Sequence, residues 1–184
     1  MKIISSSEAI KELGFDIFSE KLEFMCKSTF KLWYDSYYSL HQYKYPNWQT
    51  LYQIYLNIAF GHPNGNYTHG FVAIEKDNMI GYISINHNDF NIYGDPEKDN
   101  MIWWMTDIFV FPNWRNRGVA SALINHVIEF AKKNNQDLYL ACEKELIQFY
   151  QNKGWKILNV PHTNLTNHWT IMALPIFSEI PNIF

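Results

Sequence analysis

The spacing of apolar residues changes about one third of the way along the chain, from a helical period to an extended one. Ser5 and Gly14 are typical of the start and the end of a short helix, which follows a predicted strand at 1–4. A second helix is predicted over 47–60. Apolar side chains recur every three or four residues from 16 to about 40, which predicts a long amphipathic helix through Phe18, Leu22, Met25, Leu32 and Trp33.

Beyond residue 70 the apolar residues fall in short runs, as strands require. Two runs within 70–86 are joined by Lys76, Asp77 and Asn78 and predict a hairpin, which a polar loop over 87–100 follows. A buried strand (101–111), a helix (119–135), a strand (138–142), a helix (145–153) and two strands (155–160 and 169–176) complete the prediction. This order predicts an α+β or mixed α/β fold, with one domain over 1–184 built around a single sheet.

Composition and charge narrow the possible partners. The chain has 184 residues, 47% of them hydrophobic, and a net charge of −3 without a basic block. We therefore expect neither a nucleic-acid partner nor attraction to an anionic membrane. No apolar stretch approaches the roughly 20 residues that span a bilayer, and Cys26 and Cys142 are the only cysteines. A cytoplasmic protein with free thiols is the expectation.

Candidate chemistry lies in the stretch FPNWRNRGVASALI, residues 111–124. A predicted strand ends here and a helix begins, so unpaired backbone N–H groups and the positive end of the helix dipole are exposed. Gly118 and Ala120 would let a ligand approach the backbone closely, and Arg115 and Arg117 add positive charge. The stretch predicts a pyrophosphate site. An ordinary helix start with solvated arginines remains the alternative.

Other phosphate and metal motifs are not found. The glycine pattern is not G-x-G-x-x-G, and the P-loop pattern G-x-x-x-x-G-K-[ST] does not occur. The histidines at 62, 69, 162 and 168 do not have the spacing of a zinc motif, so no metal is expected.

Two segments in order, DIFVFPNWRNRGVASALI and LACEKELIQFYQNKGWKIL, resemble the GCN5-related N-acetyltransferase (GNAT) superfamily over about 107–157. Its acetyl-CoA loop reads [RQ]-x-x-G-x-[GA], and Arg115, Gly118 and Ala120 match it. Tyr150 and Gly154 match a second element, Y-x-x-x-G-[FW]. The resemblance implies the acyl-CoA N-acyltransferase fold, a central mostly antiparallel sheet flanked by helices, opened by the coenzyme between the strands at 102–111 and 137–142.

The resemblance also implies direct transfer of an acetyl group from acetyl-CoA to a primary amine in a ternary complex. Residues 1–60 would form a helical acceptor-side region, and 70–175 the sheet and acetyl-CoA core. The strand residues implied in coenzyme binding are Ile108, Phe109 and Val110. The loop and helix residues implied in it are Arg115, Asn116, Arg117, Gly118, Val119, Ala120 and Ser121.

Two residues are candidates for proton transfer. An alkyl amine with a pKa of about 10.4 is almost fully protonated at pH 7, so a base is needed. Asp107 is the nearest acid, although many relatives carry a glutamate where this chain has Thr106; a structural carboxylate is the alternative. Tyr150 matches the residue that protonates the leaving thiolate, with packing against Phe149 as the alternative. A backbone N–H near Val110 would stabilise the thioester oxygen.

Two residues near the second element are of separate interest. Glu143 replaces an asparagine that contacts the coenzyme in many relatives, and Cys142 is expected to be a buried structural thiol.

The acceptor is inferred from the acidic residues of the predicted loop over 87–100. If this acidic loop faces the acceptor, it favours a cationic small molecule such as a polyamine or aminosugar; a solvated loop is the alternative. The acidic residues are Asp89, Asp95, Glu97 and Asp99.

Four further possibilities stay open. The chain is faintly similar to the aminoglycoside 2′-N-acetyltransferase branch, but lysine or N-terminal amines of proteins could also be acceptors. A coenzyme-A-binding regulatory module without catalysis, and an aromatic-lined sugar-binding protein, are the alternatives outside enzyme function. Homodimers that form through the last strands are common in the family, and this sequence does not decide the point.

Overall fold

The computed structural model describes residues 1–41, 47–62, 67–87, 102–159 and 169–177, with the side chains of 33–41, 67 and 68 left out. Seven strands hydrogen-bond in the order β1-β2-β3-β4-β5-β7-β6. They are β1 (Lys2–Ser5), β2 (Tyr67–Glu75), β3 (Asn78–His87), β4 (Trp103–Val110), β5 (Leu138–Cys142), β6 (Lys156–Ile157) and β7 (Thr170–Leu174). Pairing is mostly antiparallel, as predicted.

Five α-helices occur among the described residues. They are α1 (Ser6–Leu13), α2 (Phe15–His41), α3 (Trp48–Ala59), α4 (Val119–Lys133) and α5 (Ile147–Gln151). Ser5 and Glu8 form a capping box at the start of α1. The side chain of Asn47 accepts the Thr50 N–H at 2.9 Å and caps α3.

Three local predictions are corrected. The strand predicted over 155–160 is only the two residues of β6, and the helix predicted over 145–153 begins as a 3₁₀ turn, Lys144–Leu146. Leu32 was predicted on the apolar stripe of α2, but 61% of it is exposed. Among the described side chains of α2, Met25 and Cys26 are the last that are fully buried. Most of the predicted loop, residues 88–100, lies outside the described part of the chain.

The chain divides into two compact units, of which the first contains Met1–Ser84 and Asp107–His126. In it, the hairpin of β2 and β3 turns at Lys76 and Asp77, both with φ near +50 to +60° (49° and 59°), as a two-residue type I′ turn requires. Helices α1 to α3 contribute to one hydrophobic core with the hairpin. Its residues include Ala9, Leu13, Phe18, Leu22, Met25, Leu51, Tyr55, Val72, Met79 and Tyr82.

The second unit contains Ile85–Thr106 and Val127–Phe184. In it, β5 pairs with β7 antiparallel over five residues and with β4 parallel, through Trp103 with Leu138 and Trp104 with Tyr139. Its core contains Ile102, Trp104, Tyr139, Leu158, Ile171 and Ala173. The single domain over 1–184 and the opening between the two parallel strands stay predictions. None of the described helices combines the length and the apolar character that crossing a membrane requires.

Candidate active site

Asp107 has an unusual backbone conformation within β4. Its φ is 55°, a left-handed value that few residues other than glycine adopt, although Asp and Asn do so more readily than most. Its Oδ2 accepts a hydrogen bond of 2.9 Å from the hydroxyl of Ser84 on β3. Strained residues of this kind concentrate at functional sites when surrounding contacts hold them.

Two buried weak acids interact electrostatically with Asp107. Burial raises the pKa of the Cys26 thiol on α2, and the negative charge of Asp107 raises it further. Burial also raises the pKa of Tyr82 on β3, again with a contribution from Asp107. Both groups therefore keep their protons at neutral pH, and neither competes with Asp107 as an anion.

The strand end and the following turn are fixed by backbone and arginine contacts. The Phe111 N–H donates to the Ile80 carbonyl at 3.1 Å, and Pro112–Trp114 then form a 3₁₀ turn. The Nε of Arg115 donates to the Val110 carbonyl at 3.1 Å. The Arg117 guanidinium lies 5.2 Å from the centre of the Trp114 ring. Both arginines are exposed, and these contacts hold them near the start of α4.

Gly118 is required by its backbone conformation. Its φ is 78°, which an L side chain tolerates poorly, whereas a Cβ placed there would meet no atom within 4 Å. The Gly118 carbonyl accepts the Ala122 N–H at 3.0 Å, which is the first hydrogen bond of α4. The glycine thus allows the tight turn, and it also leaves the backbone uncovered at the helix start, as the sequence predicted.

The first residues of α4 differ in what they can offer a ligand. The side chain of Val119 is buried, while Ala120 and Ser121 are partly exposed. Val119 packs where Gly81 of β3 leaves room, since a Cβ at Gly81 would lie 3.1 Å from Val119 Cγ1 and 3.0 Å from the Phe109 carbonyl. Of the predicted binding residues, Val119 can therefore contribute its backbone N–H but not its side chain.

An aromatic cluster lies beside the end of β4. The ring of Phe24 on α2 stacks on Phe111 at 5.6 Å and meets Phe109 edge-on at 6.5 Å. Phe24 is 48% exposed, so the cluster is not fully covered. Phe24 was not singled out by sequence, because its exposed position on α2 falls outside the buried stripe.

Tyr150 lies in the second unit. It is 7% exposed, and its ring packs edge-on against Phe149 at 5.1 Å and Trp155 at 5.9 Å. Burial raises the pKa of its phenol, and the neighbouring Cys142 raises it further. The phenol therefore stays protonated at neutral pH and can donate a hydrogen bond. The predicted packing with Phe149 is present, and it does not exclude proton donation.

Cys142, which interacts electrostatically with Tyr150, has the properties of a structural thiol. It is buried, and its Sγ lies 3.7 Å from Met172 Sδ. Burial, with a smaller contribution from Glu143, raises its pKa to about 11. A thiol that keeps its proton is a poor nucleophile, so an acyl-enzyme on Cys142 is disfavoured.

The structure brings together eleven of the twelve predicted site residues in the first unit: Asp107, the strand residues 108–110 and the loop and helix residues 115–121. Ser84, Gly81 and Cys26 are the neighbours that sequence reasoning missed. Ser84 had a detectable signal, a hydroxyl within an apolar strand. The acidic loop lies outside the described residues, and no three His, Cys, Asp or Glu side chains within the described ranges are grouped to hold a metal ion.

Comparison with known sequences gives a family match over most of the chain. The sequence model of the acetyltransferase (GNAT) family matches residues 28–155. An uncharacterized N-acetyltransferase of Methanocaldococcus jannaschii is 33% identical over 90 residues, which are 47% of this chain and 38% of the relative. The match with this curated relative thus spans well under half of its length.

Solved structures show the same fold. An aminoglycoside 6′-N-acetyltransferase complexed with coenzyme A has a TM-score of 0.60 and 14% identity, over 98% of this chain and 99% of that one. An acetyltransferase of the GNAT family from Staphylococcus aureus Mu50 has a TM-score of 0.58 and 19% identity, over 95% and 98%. These likenesses confirm the predicted α+β acyltransferase fold; at such identities they establish nothing about substrates.

Proposed function

Because the chain belongs to the acetyltransferase (GNAT) family, we propose that it transfers an acetyl group from acetyl-CoA to a primary amine of a small cationic molecule, of polyamine or aminosugar type. The single observation that supports coenzyme binding best is the turn before α4. There, Gly118 with its φ of 78° uncovers a helix N-terminus beside Arg115 and Arg117. Helix N-termini with adjacent cations are favourable sites for phosphate groups.

The coenzyme would be held by backbone and side chains of the first unit. The N–H groups at 118–121 and the two arginines would take the pyrophosphate, since they supply donors and positive charge together. The strand residues 108–110 would pair with the extended pantetheine. Bound there, acetyl-CoA supplies an activated thioester, so the protein needs no covalent acyl-enzyme.

Proton transfer would involve Asp107 and Tyr150. We propose that Asp107 takes the proton of the acceptor ammonium, directly or through water, while the amine nitrogen forms the bond to the acetyl carbon. The carbon–sulfur bond breaks, Tyr150 protonates the departing thiolate, and the second proton that the nitrogen loses as the amide forms restores the Tyr150 phenol. A backbone N–H near Val110 would stabilise the charge that develops on the thioester oxygen.

The acceptor class rests on charge. The predicted acidic loop carries Asp89, Asp95, Glu97 and Asp99, which would attract a cation, and the chain has a net charge of −3. One of the structures that share the fold is by name an aminoglycoside 6′-N-acetyltransferase. We propose a polyamine or an aminosugar on these grounds. Protein amines are the competing acceptors.

Calorimetric titration with acetyl-CoA and, separately, with coenzyme A is the first test. Micromolar binding is expected, followed by an amine screen that measures released thiol, with spermidine and kanamycin as cationic acceptors and a lysine peptide as competitor. A folded protein that binds neither form of the coenzyme would refute the proposed function. Faster turnover of the peptide than of either small amine would refute the acceptor class alone.

A further inference from the structure

Ser84 carries a buried hydroxyl on β3, a strand whose buried side chains are mostly apolar. It is 0% exposed, and its neighbours Ile83 and Ile85 along β3 are equally buried. A buried hydroxyl reduces stability unless it has a hydrogen-bond partner. An aliphatic side chain would therefore suit this position better if packing were its only purpose.

The partner of this hydroxyl is the carboxylate of Asp107, with 2.9 Å between Ser84 Oγ and Asp107 Oδ2. The bond joins neighbouring strands at the residue of β4 with the left-handed backbone. Hydrogen bonds to an ionised group are shorter and stronger than neutral ones. The Ser84 hydroxyl thus constrains the orientation of the Asp107 carboxylate, whose own backbone has an uncommon conformation.

Two titratable groups interact electrostatically with Asp107, and a third, Glu23, acts on one of them. Cys26 faces it from α2 and Tyr82 from β3, and both are neutral at pH 7. Glu23 on α2, which also acts on Cys26, is a further negative charge and forms an ion pair with Lys27. Among these groups Ser84 is the one that donates a hydrogen bond to the carboxylate itself.

We propose that Ser84 is a positioning residue for acetyl transfer: its hydroxyl holds the Asp107 carboxylate in the orientation that accepts the proton of the acceptor amine. The inference rests on the proposed function, in which Asp107 is the base. The proton moves from the amine nitrogen to the carboxylate, and Ser84 itself gains and loses no proton.

The first test measures the pKa of the Asp107 carboxyl group and requires no turnover. The full-length protein is titrated by carbon-13 NMR, with the Asp107 carboxyl signal assigned by its loss in Asp107→Asn. Ser84→Ala should raise the pKa of Asp107 by about one unit, because a hydrogen bond to the charged form is lost. Ser84→Thr, which keeps the hydroxyl, should leave the pKa of Asp107 at its wild-type value. Ser84→Cys, of similar size and a weaker donor, should shift it in the same direction and serves if the alanine variant does not fold.

The second test reads the reaction. Ser84→Ala should lower kcat about tenfold and move the acid limb of the pH–rate profile upward, with the KM for acetyl-CoA unchanged. The matched control is Ser19→Ala, which removes a hydroxyl that is hydrogen-bonded to Tyr52 at 2.7 Å. This variant should leave kcat and the acid limb of the pH–rate profile unchanged. An Asp107 titration that does not move in Ser84→Ala and Ser84→Cys would overturn the inference, whether or not the protein acetylates an amine. Failure of wild-type protein to bind acetyl-CoA would instead overturn the proposed function.

Discussion

The hydroxyl of Ser84 and the carboxylate of Asp107 are joined by a hydrogen bond of 2.9 Å, although 22 residues separate them in sequence. The bond exists because β3 and β4 are neighbours in the sheet, and it meets the carboxylate where the backbone of β4 is left-handed. A structural carboxylate and a catalytic base would both use this contact. The two roles differ in what the loss of the negative charge does.

Asp107→Asn should separate these roles. Asparagine has nearly the same shape and also tolerates a left-handed backbone, so the fold and coenzyme affinity should be kept. As a weak proton acceptor it should lower kcat by about a hundredfold or more. Steady-state kinetics with calorimetric coenzyme binding would measure both. A kcat within twofold of wild type would leave Asp107 with a structural role only.

Gly118→Ala should weaken coenzyme binding by about tenfold. The positive φ of 78° strains any L side chain, and relief of that strain would move the start of α4. Gly61→Ala is the matched control, since Gly61 also has a positive φ of 75° and open space around its Cβ position. Titration with coenzyme A compares them. Equal affinities in the two variants would contradict a role of the turn in binding.

Tyr150→Phe should reduce kcat about tenfold or more and keep the affinity for coenzyme A, because only the proton donor to the thiolate is lost. The control Tyr52→Phe removes another tyrosine hydroxyl, bonded to Ser19. Because burial raises the pKa of Tyr150, wild-type activity should show no loss from its ionisation up to about pH 10. A Tyr150→Phe enzyme with the wild-type rate would refute the donor role.

Stability should fall in alkaline solution as Cys142 ionises. Its folded pKa of about 11 lies above the unfolded reference of 9.0, so its full contribution is present below pH 9 and is lost as pH rises towards 11. Urea unfolding from pH 8 to pH 11 would measure the decrease. Cys142→Ala should reduce the slope above pH 9 by up to about 1.4 kcal/mol per pH unit, the value for one proton. Identical slopes would mean that Cys142 ionises alike in both states.

Local signals in the sequence identified most elements. The Ser5 cap, the Asn47 cap and the turn at Lys76 and Asp77 act through contacts within a few residues, so their chemistry is visible in the chain itself. The turn at Gly118 was recognised for the same reason. Errors occurred where packing against distant parts of the chain decides the length of an element or the burial of a side chain. The strand β6 has only two residues, and Leu32 of α2 is exposed.

The amino-acid sequence by itself determined most of the elements, the turn at Gly118 and the family resemblance, since all of these depend on residue types at short, fixed spacings. Only the tertiary structure decided the surroundings of Asp107. The hydrogen bond from Ser84 and the electrostatic interactions with Cys26 and Tyr82 involve a strand and a helix distant in sequence. The pKa values of Cys26 and Tyr82 also depend on burial that packing alone produces. No local pattern specifies which distant side chains a folded strand will bring beside a carboxylate.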